Sequence, residues 1–493
     1  MRCLALAFLI TTGCVAFAQD ITAPVPTSPL TLEECIRRAL AQGFDLEIGK
    51  QDLLIAQDNV PIARSLFDPV IGAAAGKGVI KSRAEDGLPS SRSSTLNSSV
   101  AANQRLRLGT QLGIAVNSDR FNSDPAVDTL NPAYTSDVTL SIRQPLLKGF
   151  GSNITTLPIQ RATVGLEIAE YDYEDRALEI IQSTENAYYL LIGATDQLEV
   201  FRTSLRLAET LQRESESRRL AGMATRLDVL QAQVGVANAR RNVLDAERTL
   251  HVSEDNLLAL IGRFEFDSSL GLLAVDKDIE PGFRPSADTS YARALEHNPA
   301  LRSTRAGLDL ARMDIEFARD DLKPSLDLDI ALGLNGDDTS RRGAFSGLTT
   351  PDGSLWQGGL SITYPLGRAA EKARYRQSKY ALTREELLAK QLEQDILVSV
   401  RRSIRDVDTS RETVSIAALA SELALKQHEA ETARFRAGLS TGRRVLEAQT
   451  DLESARVAEL QARLDLQTAI AALRRLEGSS LSKYGVTLNV ARM

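Results

Sequence analysis

The residue types that most often carry out chemistry are sparse in this sequence of 493 residues, and they form no catalytic pattern. His251, His297 and His428 stand far apart, and no CxxC, HExxH or phosphate-binding glycine loop occurs. We therefore expect no enzyme activity, no cofactor and no metal site. The net charge of −7 also argues against nucleic acid as a partner, because nucleic-acid binding calls for basic patches.

Two polar clusters, each following an Ala-Gly pair, are the strongest candidates for a functional site. In the first, Ala221-Gly222 precedes Thr225 and Asp228, which have the spacing of a capping box. Glycine suits the left-handed position that ends a helix, so each cluster predicts a tight turn between two helices. The second cluster consists of Ala437-Gly438, Thr441 and Arg444.

Long helices must position these turns. No proline occurs between Pro158 and Pro281 or after Pro365, and both stretches are rich in strong helix formers. With one turn near the middle of each stretch, we predict two long helical hairpins, at about 157–262 and 368–478. Small residues recur every seven positions after each turn, which predicts close coiled packing. They are Ala232, Ala239, Ala246 and Ser253, and then Ala448, Ala455, Ala462 and Ala469.

The two hairpins belong to a larger internal repeat. Residues 38–69 align with 293–324, and 221–262 align with 437–478, in both cases without a gap. Two copies of one unit in a chain usually mean pseudo-symmetry in the assembly. The predicted bounds are 1–18 for a signal peptide, 19–284 for the first structural repeat and 285–493 for the second.

Each repeat has strands between its short helices and its hairpin. Alternation of apolar and polar residues predicts these strands at about 70–146 and 325–366. An extra hairpin is predicted at 98–117, and it either adds two strands to a barrel or lies on the surface above it. The polar segments 82–96, 119–134 and 334–354 are predicted to be loops.

The first 18 residues have the pattern of a secretory signal peptide, with cleavage expected after Ala18. Lipidation at Cys14, which follows Gly13, is the less favoured alternative. The mature chain then keeps only Cys35, which lies in a helical pattern and is predicted to be a small core residue.

Several copies of the chain are expected to share one barrel. Four to six strands cannot close a barrel, since single-chain barrels start at about eight strands. Open strand edges would leave backbone groups unpaired in lipid. Three copies of four strands each would give about twelve strands.

The sequence resembles the outer-membrane efflux proteins, the TolC-like channels, over essentially the whole mature chain. The matching pieces are Leu30-Thr31-Leu32-Glu33-Glu34, Phe67-Asp68-Pro69, the segment 141–146 and the Ala-Gly-x3-Arg-Leu-Asp-Val-Leu-Gln-Ala-Gln pattern at 221–233. The resemblance implies a mainly α fold with a membrane β-barrel, in which a trimeric β-barrel is continued by a periplasmic α-helical barrel. It also implies an exit duct of a tripartite efflux pump or a type I secretion system.

The same resemblance implies that the two turns form a periplasmic tip that constricts the channel and docks an adaptor. Asp228 falls at an acidic position of the closing network, and closure through an Asp228–Arg444 or an Arg444–Glu447 pair is expected. Helix capping alone also accounts for Asp228 and for both glycines. The residues assigned to the tip are Gly222, Thr225, Asp228, Phe435, Gly438, Ser440, Thr441, Arg444 and Glu447.

The expected partners are two further copies of the chain, a periplasmic adaptor, an inner-membrane transporter and outer-membrane lipid. The expected location is the outer membrane of a bacterial cell, with an extension into the periplasm. The alternative from a different class is a periplasmic coiled-coil adaptor or scaffold that has no membrane barrel. The sequence indicates neither the cargo nor a choice between efflux and protein secretion.

Overall fold

The computed structural model describes residues 29–82, 91–124, 130–262, 273–274, 283–350 and 353–488. The signal peptide and Cys14 lie outside these residues. The helices are α1 (Leu32–Gln42), α2 (Phe44–Arg64), α3 (Ser152–Thr155), α4 (Leu157–Leu220), α5 (Arg226–Leu260), α6 (Ala287–His297), α7 (Pro299–Asp320), α8 (Arg341–Gly347), α9 (Ala369–Arg436), α10 (Gly442–Glu477) and α11 (Ser480–Lys483), with a 3-10 turn at Ser65–Phe67. The strands are β1 (Pro29–Leu30), β2 (Val70–Ser82), β3 (Ser91–Arg105), β4 (Gln111–Asp124), β5 (Ala133–Pro145), β6 (Leu273–Ala274), β7 (Ser325–Asp338) and β8 (Ser354–Thr363).

The described residues divide into two compact units. One unit lies within the bounds Met1–Ala39, Thr184–Glu280 and Ser415–Leu464, and the other takes in the remaining described residues. These units reflect packing and do not coincide with the two repeats, so the repeat bounds stay a prediction. In the described part of the chain, no helix is both long and apolar enough to cross a membrane.

The two predicted helical hairpins are confirmed. Helices α4 and α5 have 64 and 35 residues, and α9 and α10 have 68 and 36. The seven-residue pattern is buried at five of its eight positions, three in the first copy and two in the second, which agrees with close coiled packing. Its fully buried members are Ala232, Ala239, Ala246, Ala448 and Ala462.

Two helical glycines bring α10 close to its neighbours. Gly193 of α4 lies against the side chain of Leu464, and a Cβ at Gly235 of α5 would lie 2.6 Å from Cδ2 of Leu446. A side chain at either glycine would therefore displace a packed leucine. The predicted core role of Cys35 is also confirmed, because its side chain is fully buried in α1.

Six strands form one antiparallel sheet in the order β2-β3-β4-β5-β7-β8. Strands β3 and β4 pair with each other over their whole length, and they also pair with β2 and β5. The predicted hairpin at 98–117 is therefore part of the sheet and not a surface feature. The sheet has two unpaired edges, β2 and β8, among the described residues.

The strands extend farther into polar sequence than predicted, which corrects the loops predicted at 82–96, 119–134 and 334–354. Strand β3 begins at Ser91, β4 continues to Asp124, and β7 continues to Asp338. Polar side chains do not prevent strand formation here, because the backbone ladder supplies the hydrogen bonds. The segment predicted as a single loop at 334–354 also contains the short helix α8.

The two faces of the sheet differ in polarity. The residue pairing places Ile114, Leu140, Leu332 and Trp356 side by side across four strands. We call the face that carries this row the apolar face. It is largely uncovered, since Trp356 is 79% exposed and Ile362 is 69% exposed.

The opposite, polar face carries ion pairs and hydrogen bonds. A guanidinium nitrogen of Arg143 lies 2.9 Å from Oδ2 of Asp327 and another lies 3.8 Å from Oδ1 of Asp329. The amide of Asn117 donates to Asp137 at 2.8 Å. An exposed apolar face opposite a polar one is the pattern expected of a sheet that separates two different environments.

We predict that Gly193→Val lowers the midpoint of thermal unfolding, because the added side chain must displace Leu464. Overpacking of this kind costs about 1–3 kcal/mol. Gly165→Val is the matched control, since Gly165 lies in the same helix and has nothing within 4 Å of a built Cβ. Circular dichroism in detergent should show the lower midpoint for Gly193→Val only. Equal midpoints for the two variants would contradict close packing at Gly193.

Candidate functional site

The first tip, residues 218–228, ends α4 with a six-residue hydrogen-bonded turn. Gly222 has a φ of +74°, and its N–H donates to the carbonyl of Arg219 at 3.0 Å. The N–H of Met223 donates to the carbonyl of Arg218 at 2.8 Å. This pair of bonds is the Schellman motif, which satisfies the last carbonyls of the helix.

The start of α5 is capped as the sequence predicts. The N–H of Asp228 donates to Oγ1 of Thr225 at 3.3 Å, and the N–H of Thr225 donates to Oδ2 of Asp228 at 2.8 Å. The Thr225 hydroxyl also donates to this oxygen at 2.7 Å. Asp228 is therefore occupied within its own tip.

The second tip, residues 434–447, repeats the first Schellman turn. Gly438 has a φ of +76° and donates to the carbonyl of Phe435 at 3.0 Å, while Leu439 donates to the carbonyl of Arg434 at 2.8 Å. The next helix begins differently, since Arg444 donates its backbone N–H to the carbonyl of Thr441 at 3.1 Å. The carboxylate that would complete a capping box is missing at Arg444.

Arg218 joins the two tips. Its guanidinium donates to the carbonyls of Phe435 and Arg436, the latter at 2.8 Å, and lies 4.1 Å from the centre of the Phe435 ring. These carbonyls belong to the last turn of α9, where a cation is favoured by the helix dipole. Arg436 in turn donates to Glu214 of α4 at 2.9 Å. One arginine therefore crosses in each direction between the ends of α4 and α9.

A small apolar cluster lies beside this crossed pair of arginines. Leu211 and Phe435 are buried together with Val445, and Leu446 packs against them. Next to it is a cleft of about 440 Å³ between the two tips. Its lining residues are Ser215, Arg218, Met223, Ala224, Asp228, Phe435, Arg436, Ala437, Gly438, Ser440, Thr441 and Gly442.

The structure brings five of the assigned tip residues to this cleft, namely Asp228, Phe435, Gly438, Ser440 and Thr441. The other four, Gly222, Thr225, Arg444 and Glu447, do not line it.

Neither expected ion pair of the tip, Asp228–Arg444 or Arg444–Glu447, forms among the described residues of one chain, and closure through them stays a prediction. Nε of Arg443, not a nitrogen of Arg444, lies 2.9 Å from Oε1 of Glu447. Helix residues three and four positions before Glu447 can both reach its carboxylate. In this structure Arg443, four positions before it, forms the ion pair. The hydroxyl of Ser440 donates a hydrogen bond to the carboxylate of Glu431.

Reasoning from the sequence did not find Arg218 and Arg436 of the tips, or Glu214 and Glu431, which lie just before them. A signal for Arg218 was present, because the repeat aligns it with Arg434. The two arginines differ in their partners, since Arg434 forms only a 3.5 Å pair with Glu431 of its own helix. Which partner each arginine takes depends on packing between helices, and the sequence pattern does not contain that information.

Apolar side chains project into solvent at the two tips. Met223 is 73% exposed and Leu439 is 72% exposed, and the repeat aligns them with each other. The hydrogen bond from Arg219 keeps the pKa of the Glu216 carboxyl, near the end of α4, below its usual range. Among the residues that the structure describes, no group of three or more His, Cys, Asp or Glu could hold a metal ion.

Relatives with known roles match much of the chain. The pyoverdine export outer membrane protein OpmQ of Pseudomonas aeruginosa is 27% identical over 64% of this chain and 65% of its own length. The chain therefore spans just under two thirds of the length of OpmQ. The cobalt-zinc-cadmium resistance protein CzcC of Cupriavidus metallidurans is 25% identical over 92% of this chain and 93% of its own length. The solved outer-membrane channel OprN has the same fold, with a TM-score of 0.68 and 19% identity over 91% of this chain and 90% of that chain.

A model of the outer membrane efflux protein family matches residues 130–263 and 290–479. These ranges include both tips, both hairpins and three of the six strands of the sheet, β5, β7 and β8. Their extent exceeds half of the chain, and OpmQ and OprN are described as outer-membrane proteins. The chain therefore belongs to the outer membrane efflux protein family and is located in the bacterial outer membrane.

Proposed function

We propose that three copies of this chain form one outer-membrane channel, which serves as the exit duct of a tripartite efflux pump or a type I secretion system. The observation that carries the proposal is the six-stranded sheet with an apolar face, a polar face and two unpaired edges. In lipid such edges must be paired, and the β8 edge of one copy can pair with the β2 edge of the next.

The strand number supports the wider of the two barrels that the sequence leaves open. Six strands per chain give eighteen strands in a trimer, where four would give twelve. Barrel diameter grows roughly in proportion to strand number, so the bore would be about one and a half times as wide. Barrels of about 16–18 strands leave an open aqueous channel.

The two tips would form the periplasmic end of the duct. With two tips per chain, a trimer has six, and each pair is joined by Arg218. Met223 and Leu439 are exposed apolar groups at equivalent positions, which suits docking of an adaptor. Energy for transport would come from an inner-membrane partner, and the role of the chain is passive conduction without catalysis.

Conduction is the first test. Purified protein inserted into planar bilayers is expected to give ion-conducting steps, and its mass in detergent is expected to be that of a trimer. A protein that fractionates as a soluble periplasmic monomer would instead support the adaptor alternative and reject the channel.

Removing the hairpin β3–β4 should narrow the channel. We predict that a variant in which a short turn replaces residues 83–132 still forms trimers, because β2 and β5 are antiparallel and can pair directly. Neutral polymers added to the extracellular side should then be excluded at a size smaller by about a third. An unchanged cutoff in a folded trimer would show that the hairpin is not part of the wall.

Arg218→Gln should favour an open tip, because the bonds of Arg218 to the end of α9 are lost. Hydrogen bonds from a charged group contribute about 1.5 kcal/mol, or roughly tenfold in an equilibrium between closed and open tips. Single-channel recording is expected to show more frequent or larger openings.

Arg434→Gln is the matched control for Arg218→Gln. Arg434 is the aligned residue of the other repeat, and its ion pair is confined to its own helix. The variant Arg434→Gln should leave the single-channel conductance unchanged. Equal effects of the two variants would argue that the contact between tips does not restrain the channel.

A further inference from the structure

Helix α8 covers the apolar face of the sheet at the end of its apolar band. A Cβ on Gly336 of β7 would lie 3.0 Å from Cα of Gly347 and would also meet the carbonyl of Ala344. Ala344 is fully buried. Gly336 shares its face with Leu334, two residues earlier in the strand, so α8 lies on the apolar face and not on the polar one.

The height of the apolar band places α8 at the membrane surface. On β7 the band consists of Leu326, Leu328, Ile330, Leu332 and Leu334. Eight residues of rise correspond to about 27 Å along the strand, or roughly 20 Å of height at the usual tilt. A lipid-facing band is about 25 Å tall, so the residues beyond Leu334 reach the lipid headgroups.

Basic side chains are concentrated at this level of the apolar face. The residue pairing aligns Lys77, Leu96, Arg120 and Tyr134 across neighbouring strands. The guanidinium of Arg120 lies 5.6 Å from the centre of the Tyr134 ring, and Phe345 of α8 is 40% exposed. We define the basic belt as Lys77, Lys81, Arg92, Arg120, Arg341 and Arg342, all of which are exposed.

The acidic side chains at the same level lie mainly on the opposite face. Asp119, Asp137 and Asp337 belong to the polar face by their positions in the strands. Among the residues that the structure describes, two acids share the face of the basic belt. Asp338 accepts bonds from the N–H and hydroxyl of Ser340 at 2.8 and 3.0 Å, and Asp124 lies opposite Arg92. Arg341 and Arg342 form no ion pair with any residue that the structure describes.

We propose that the basic belt binds the phosphate groups of an anionic glycolipid in the outer leaflet of the membrane. This inference rests on the proposed function, because it needs the apolar face to contact lipid. Arginine forms paired hydrogen bonds with phosphate, and aromatic groups at the same level are typical of a membrane interface. Cations near an anionic membrane surface each contribute roughly a fivefold gain in affinity.

The test titrates purified trimers in a nonionic detergent with diphosphoryl lipid A and with inorganic phosphate, and counts bound lipid by native mass spectrometry. The variant combines R120Q, R341Q and R342Q, and it is expected to bind the lipid about 100-fold more weakly. The control combines R240Q, R241Q and R248Q, which removes three exposed arginines of α5, and it should bind as the unmodified protein does.

Two results would overturn the proposal. One is equal lipid affinity of the belt variant and the unmodified protein. The other is complete displacement of the lipid by millimolar inorganic phosphate, which would make the belt a site for free anions. Trimer mass confirms that each variant has folded.

A separate measurement distinguishes failure of this inference from failure of the channel proposal. Trp356 is the single tryptophan of the chain and lies on the apolar face. Brominated phosphatidylcholine in reconstituted vesicles should quench its fluorescence. Quenching combined with equal lipid affinities rejects the basic belt alone, whereas no quenching rejects the lipid-facing sheet and the channel with it.

Discussion

Pairing of backbone hydrogen-bonding groups is the constraint on which the rest of this structure depends. Within hydrocarbon, every N–H and C=O must find a partner in protein, and a six-stranded sheet leaves the edges β2 and β8 unpaired. Assembly with other copies is one way to meet that requirement. The polarity of the two faces follows from the same arrangement, because a closed sheet has an outer side against lipid and an inner side against water.

The ends of the long helices face the same requirement in water. The two Schellman turns satisfy the final carbonyls of α4 and α9 through backbone bonds, and glycine is needed only at Gly222 and Gly438. Arg218, near the end of α4, also donates hydrogen bonds to the last carbonyls of α9. The tips are therefore held together by contacts that do not use the capping residues Thr225 and Asp228.

Local patterns predicted the helices and the turns well, because proline placement, small residues at a seven-residue spacing and the capping box act over short distances. Strand ends were predicted poorly. The polar residues near Ser91 and Asp338 predicted loops, but the backbone groups of these residues pair with neighbouring strands. The partners of charged residues at the tips were also missed. Glu447 takes Arg443, and Arg218 crosses to another helix, which depends on packing that no local pattern encodes.

The exposed residues that follow the two tip glycines have a further consequence. Met223 and Leu439 contribute only their backbone N–H groups to the turns, and their side chains contact little of the chain itself. Substitutions there carry almost no folding cost. Because the repeat supplies two such positions, the surface of one tip can change by mutation while the other tip keeps its side chain.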